Sequence, residues 1–312
     1  MSKTASELAL LAVILVWGVN FAVIKVPLEV APPFTVNVLR FAVSLTVLAV
    51  LYRREARHRG QGLASTFEIG WTRVVGVGLL GVLVYQLMFI LGIDRVSSGT
   101  AALMMATSPA WTSVASHVLK QERLLVAGWI GLAVSLGGVG LVVAGNPGAA
   151  FQGGRSGVLL MLAAALAWGL YTTLSRPLLD RGASALGLSF WGVLLSFPGL
   201  VLLALPEQSQ MDWSRIGALE VGALLFSGGL STGLAYAIWN QSVSVVGASR
   251  TAAFSNLVPV VGVAAGVALR GETVTLVQAL GGALVIAGVV LVRRRGVGPL
   301  IPTTGSPRPR GR

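Results

Sequence analysis

Stretches of about 20 residues that are almost free of charge recur from one end of this chain to the other. A helix rises 1.5 Å per residue, so each stretch is long enough to cross the roughly 30 Å hydrocarbon core of a bilayer. Lipid offers no hydrogen-bond partner to backbone N–H and C=O groups, and a run of this length satisfies them as a helix. The composition agrees. The 312 residues are 54 % hydrophobic and 11 % charged, where a soluble domain carries about 25 % charged residues. Mean hydropathy is +0.81. The chain therefore reads as an all-α integral membrane protein. Its 40 glycines suit helices that approach closely in lipid.

The absence of cysteine excludes disulfides and thiolate chemistry. His58 and His117 are too few for a histidine metal cluster, and no metal or cofactor is expected. The net charge of +12 does not point to nucleic acid, because the cations lie in short loops between apolar runs. The expected partners are the lipid bilayer and a small-molecule substrate. The first apolar run is too long for the core of a cleavable signal and lacks a clear A-x-A site.

Apolar runs between charged or Pro/Gly breaks predict ten transmembrane helices, over about 7–25, 34–52, 73–92, 98–119, 125–144, 157–175, 185–205, 217–240, 248–269 and 274–292. The tail 296–312 is basic and rich in Pro and Gly and reads as disordered. Cytoplasmic loops collect Lys and Arg. With the amino terminus inside, 17 of the 23 cations fall on the cytoplasmic side, five fall outside, and Arg40 lies within a span. Both termini are thus expected in the cytoplasm, with the chain in a bacterial-type inner membrane.

Two phrases repeat. "VWGVNFAVIK" opens at Val16 and "AWGLYTTLSR" at Ala167, which sets Trp17 and Trp168 151 residues apart. "VSSGTAALMMATSPAW" from Val96 matches "VGASRTAAFSNLVPVV" from Val246 at a shift of 150, with Pro109 on Pro259 and, further on, Lys120 on Arg270 and Glu122 on Glu272. The expected organisation is a first repeat over 1–145 and a second over 153–295. Five helices is an odd number, so the second unit enters the membrane upside down. Inverted repeats of this kind place a substrate site near the midplane between the halves and allow alternating access.

On these features the chain resembles the drug/metabolite transporter superfamily, EamA type: five plus five helices, Trp-Gly in the first helix of each half, and a Pro…(K/R)-x-E element closing the fourth helix of each. Within it the chain is most similar to YddG-like exporters of aromatic amino acids and other metabolites. The resemblance covers about residues 5–295 and implies helices lining a central cavity, with the last helix of each half packed on its counterpart.

Trp17 and Trp168 sit about ten residues into their runs, near mid-membrane, where an indole needs a partner or a wet cavity. Two readings are open: packing knobs bonded to a carbonyl, or cavity walls. Asn20 and Tyr171 follow three residues later on the same helix faces and favour a cavity. Tyr85 and Asn256 fall at similar depth, each with a structural alternative. Pro109 and Pro259 read as kinks that are either static or hinges. Arg40, about six residues from a span end, either snorkels to the interface or meets a substrate carboxylate. Trp111 is assigned to packing, Trp71, Trp129 and Trp239 to the interfacial belt, and His117 to a helix end, with a proton relay as the alternative. Ala133 and Gly137, with Ala283 and Ala287, form candidate packing stripes, as does Gly262 with Gly266.

The eleven acids all lie in loops or at span ends. A proton-coupled cation pump keeps a carboxylate at the midplane, so neutral or zwitterionic substrates are favoured over multidrug cations. No nucleophile–base pair is placed for an intramembrane enzyme, and no Walker A motif occurs. A channel would need rings of carbonyls or charges, usually from several subunits. The expected function is that of a monomeric secondary transporter, not an enzyme, exporting amino acids or similar metabolites. Proton-driven multidrug efflux is the alternative.

Overall fold

A computed structural model describes residues 3–145, 155–246, 254–295 and 297–298. The chain is built almost wholly of helices: α1 (Lys3–Val23), α2 (Lys25–Leu28), α3 (Pro33–Arg59), α4 (Trp71–Gly78), α5 (Tyr85–Arg95), α6 (Ser98–Met105), α7 (Ser108–Val118), α8 (Val126–Ala144), α9 (Arg155–Asp180), α10 (Ala185–Ala204), α11 (Ala218–Leu225), α12 (Ala235–Val246), α13 (Val258–Arg270) and α14 (Leu276–Arg295). Two π-helical segments, Leu79–Val84 and Phe226–Leu234, join α4 to α5 and α11 to α12. Among the described residues seven helical stretches are long and apolar enough to cross a membrane, and Val258–Arg270 and Leu276–Val292 are shorter apolar helices.

The expected helix over 98–119 is broken. α6 ends at Met105 and α7 starts at Ser108, with Pro109 in its first turn. Proline is tolerated there because the first-turn N–H has no intrahelical partner to lose. Pro259 occupies the same place in α13, after a 3-10 turn over Ser255–Leu257. Neither proline is a mid-helix kink. The residues 248–253 of the expected ninth run lie outside the described residues.

Helices of the two chain halves pack against each other throughout: α1 on α13, α3 on α10, α5 on α9, and α8 on α14. The last pair is the closest. A Cβ on Gly138 would lie 2.6 Å from the Gly281 carbonyl, and one on Gly131 would lie 2.6 Å from that of Gly288. These glycines let the two backbones touch, as small residues do in lipid. The expected Ala133–Gly137 and Ala283–Ala287 stripes are not the contact, since all four residues are exposed. The seam uses the neighbouring face, Gly131–Ser135–Gly138–Val142, whose residues are buried. Gly262 does pack, since a Cβ there would lie 2.5 Å from that of Ala102 in α6.

Acids hold helix starts across the halves. Glu207 accepts hydrogen bonds from the Phe34 and Thr35 N–H groups at the head of α3, at 3.1 and 2.7 Å. Glu272 accepts from Ser98 and Gly99 at the head of α6, at 2.7 and 3.0 Å. Negative charge at a helix N-terminus is stabilising, because it meets unpaired N–H groups and the positive dipole end. At the opposite end of the bundle Glu55 accepts from Ser184, the N-cap of α10. In an exposed turn, Asp212 accepts from the hydroxyl and amide of Ser214, which hold its carboxyl below the usual range.

Part of the tail is ordered. Val297–Gly298 pairs antiparallel with Arg123–Leu124, so the backbone leaving α14 finds donors and acceptors beside the turn after α7. Residues 296 and 299–312 lie outside the described residues.

Replacing Gly138 by valine is expected to force α8 and α14 apart and cost about 1–3 kcal/mol. Gly140, two residues on, has nothing within 4 Å of its Cβ position, and Gly140→Val is expected to be neutral. Thermal unfolding of both variants in detergent checks this; equal melting temperatures would contradict the seam.

Candidate functional site

The polar and aromatic residues at mid-depth converge on one cavity, which encloses about 660 Å³ including the part open to the outside. α1 contributes Trp17, Asn20 and Phe21, α3 contributes Arg40, α5 contributes Tyr85, Gln86 and Phe89, and α9 contributes Trp168. The second π segment and α12 supply Ser231, Thr232 and Tyr236. The two helix breaks close the wall, with Met105, Ala106 and Pro109 from one and Ser255, Val258 and Pro259 from the other. Pro109 has no N–H to give the carbonyl of Met105, four residues back. Irregular backbone is tolerated at membrane depth where it borders a cavity.

An aromatic cage forms the centre. The Trp17 and Trp168 rings meet edge to face at 5.9 Å. Tyr236 stands 6.1 Å from Trp17 and 5.3 Å from Trp168. Tyr85 lies 5.1 Å from Trp168. Edge-to-face and tilted contacts of this kind align positive ring edges with negative faces. Trp17 Nε1 donates to the Ser231 carbonyl at 2.8 Å. Both sequence readings of Trp17 therefore hold together: its N–H is bonded to a backbone carbonyl, and its ring is a cavity wall.

Tyr171 is not in the wall. It lies behind Trp168 at 5.3 Å, against the first π segment, where a Cβ on Gly81 would come 2.1 Å from its ring. The side chain of Asn256 lies outside the described residues. Trp239 is not a belt residue: it is 3 % exposed and packs 5.0 Å from Trp17. Trp71 and Trp129 are exposed as expected. His117 Nδ1 accepts the Leu124 N–H at 3.1 Å, which ties the turn after α7 to the helix end.

Arg40 does not snorkel. It is 2 % exposed, held inside because the second π segment closes over it. Gly228 allows this, since a Cβ there would lie 2.2 Å from the Arg40 carbonyl. Arg40 Nη2 donates to Thr232 Oγ1 at 3.1 Å and to Gln86 Oε1 at 3.4 Å. Gln86 Nε2 in turn donates to the Tyr236 hydroxyl at 3.3 Å. Tyr236, Gln86 and Thr232 were not expected as site residues. For Tyr236 a signal existed: it stands 151 residues after Tyr85, the spacing of the two tryptophans. No group of His, Asp and Glu able to hold a metal occurs among the described residues.

The EamA-like transporter family model matches this chain twice, over residues 4–144 and 155–294. A "Probable amino-acid metabolite efflux pump" of Salmonella typhimurium is 27 % identical, over 93 % of this chain and 95 % of that protein. An "Uncharacterized inner membrane transporter YedA" of Escherichia coli is 30 % identical over 91 % and 89 %. An "Uncharacterized transporter" of Archaeoglobus fulgidus is 29 % identical over 89 % and 95 %. A solved crystal structure with 20 % identity superposes with a TM-score of 0.64 over 93 % of this chain and 98 % of the other, which shows a common fold.

Trp17→Phe keeps a ring in the wall and leaves the Ser231 carbonyl without its indole donor. The expected cost is about 1–3 kcal/mol, read as a lower melting temperature. A variant that melts with the wild type would show that the bond contributes nothing.

Proposed function

The chain belongs to the EamA-like transporter family, and from that premise we propose that it exports small amphipathic metabolites, amino acids foremost, by alternating access at the aromatic cavity. It is a secondary transporter and not an enzyme. The observation that carries the substrate reading is the cavity itself: aromatic faces with a few amides and hydroxyls, at the level where helices of both halves are interrupted. Such a lining suits a molecule with an apolar body and a polar end. The efflux pump of Salmonella typhimurium, similar along most of both chains, supports the same class.

In this reading ten helices form two five-helix repeats, about 1–145 and 153–295, inserted in opposite senses with both termini in the cytoplasm. The paired features 151 residues apart, Trp17 with Trp168 and Tyr85 with Tyr236, support the duplication. So do the two breaks next to Pro109 and Pro259. The breaks serve as hinges: a helix that is two hydrogen-bonded pieces bends at the junction more readily than a continuous one. Alternating access then follows from rocking one half against the other around a fixed site. Multidrug cation efflux by proton antiport is disfavoured, because no carboxylate lines the cavity and Arg40 does. The site is complete within one chain, which is therefore proposed to act as a monomer in the inner membrane.

Flux assays in proteoliposomes test the proposal. Labelled aromatic and aliphatic amino acids are expected to move saturably and to compete with one another. Trp168→Ala is expected to raise the half-saturating concentration about 5- to 150-fold, in keeping with loss of about 1–3 kcal/mol of aromatic contact. Pro109→Ala and Pro259→Ala are expected to slow turnover with little change in that concentration. Linear, unsaturable flux would instead indicate a channel.

A further inference from the structure

A single positive charge is buried in the cavity wall without a counter-ion. Arg40 Nε and Nη1 are both buried and have no hydrogen-bond partner. Only Nη2 is engaged, and its partners, Thr232 and Gln86, are neutral. The titratable groups that act on it are the phenols of Tyr85 and Tyr236, not carboxylates. Arg59, Arg176 and Arg270 form ion pairs at helix ends. The rings of Phe41 and Phe89 lie 5.3 and 5.8 Å from the guanidinium carbon. They partly shield the charge but offer no acceptor for the two free N–H groups.

An arginine in this state is costly, since burial removes its hydration and only Nη2 regains hydrogen-bond partners. Nη2 is fixed while Nε and Nη1, which share no edge, keep unpaired N–H groups, and a carboxylate from outside would supply an acceptor to one of them. The same cavity holds the opposite complement. Asn20 is 5 % exposed, lines the cavity, and its Oδ1 is buried without a donor. It is an acceptor waiting for an N–H, beside the faces of Trp17 and Trp168, which attract cations.

We infer that an unpaired N–H of Arg40, from Nε or Nη1, binds the carboxylate of the transported metabolite and that Asn20 Oδ1, with the tryptophan faces, receives its ammonium group. The inference rests on the proposed function and deepens it: the cargo is a monocarboxylate, zwitterionic in its best form, and the carboxylate contributes most of the polar selectivity. Thr232 and Gln86 position the guanidinium by holding Nη2.

The test uses the full-length protein in lipid nanodiscs, with intrinsic tryptophan fluorescence as the binding signal, since Trp17 and Trp168 are in the wall. The probes are L-phenylalanine, L-phenylalaninamide, which lacks the carboxylate, and 3-phenylpropionate, which lacks the ammonium. The wild type is expected to bind L-phenylalanine about 10- to 100-fold more tightly than the amide, as loss of a charge-assisted pair requires. 3-Phenylpropionate is expected to lie between them. Arg40→Gln is expected to bring the acid-to-amide ratio close to one, and Arg40→Lys to keep part of it. Asn20→Ala is expected to bring L-phenylalanine and 3-phenylpropionate together while leaving the acid-to-amide preference. A wild type that binds acid and amide alike overturns the role of Arg40 and leaves the aromatic cavity standing. A folded Arg40→Gln protein that keeps the full preference does the same. A wild type that binds none of the three overturns both this inference and the amino-acid reading. Should Arg40→Gln fail to fold, the wild-type comparison of acid with amide decides alone.

Discussion

A peptide group without a hydrogen-bond partner costs several kcal/mol in lipid, so a membrane chain has little freedom to depart from regular helix. Among the described residues the chain departs from it in four interior places, three of which line one cavity. The turns after Met105 and before Val258 interrupt two helices, and the π segments Leu79–Val84 and Phe226–Leu234 distort two more. π turns leave backbone carbonyls poorly paired and often occur at functional sites. Here one such carbonyl, of Ser231, is taken by the Trp17 indole. The cavity is thus bounded by irregular backbone as much as by side chains: the two helix breaks and the second π segment contribute to its wall.

Charge placement follows the same economy. Carboxylates occur where they meet helix N-termini, as Glu207 does at α3 and Glu272 at α6. Each of these bonds joins the second half of the chain to the first. The Arg270–Glu29 pair lies at the same end of the bundle, and the Arg176–Glu122 pair at the other. The carboxylate contacts that tie the halves are therefore located at the ends, where water competes with them and they can exchange. The α8–α14 seam, by contrast, is backbone against backbone at Gly131, Gly138, Gly281 and Gly288. A rigid seam and exchangeable end contacts are what a rocking motion needs.

Much of this was legible in the residues. The apolar runs located most helices within a few residues, and the Trp-Gly phrases located two walls of the cavity. The misses have physical causes. Trp239 reads as a belt residue because the eighth run closes at residue 240, whereas the helix continues to Val246. Thr232 sits in a π segment, whose phase a 3.6-residue period does not describe. Arg40 looked able to reach the interface by its depth alone. Its burial depends on Gly228, which brings a distant segment against its backbone, and such an approach leaves no trace in local pattern. The prolines marked the right places, but a kink and a clean break carry the same sequence signature.

Alternating access around the aromatic cavity is the central claim, and spin-label distances test it most directly. The chain has no cysteine, so pairs of introduced cysteines report without background. One pair would flank the Glu29–Arg270 contact and the other the Glu122–Arg176 contact, at the two ends of the bundle. On addition of L-phenylalanine the account predicts reciprocal change, one pair separating as the other closes. Distances that stay fixed at both ends, or widen together into an open pore, would contradict it.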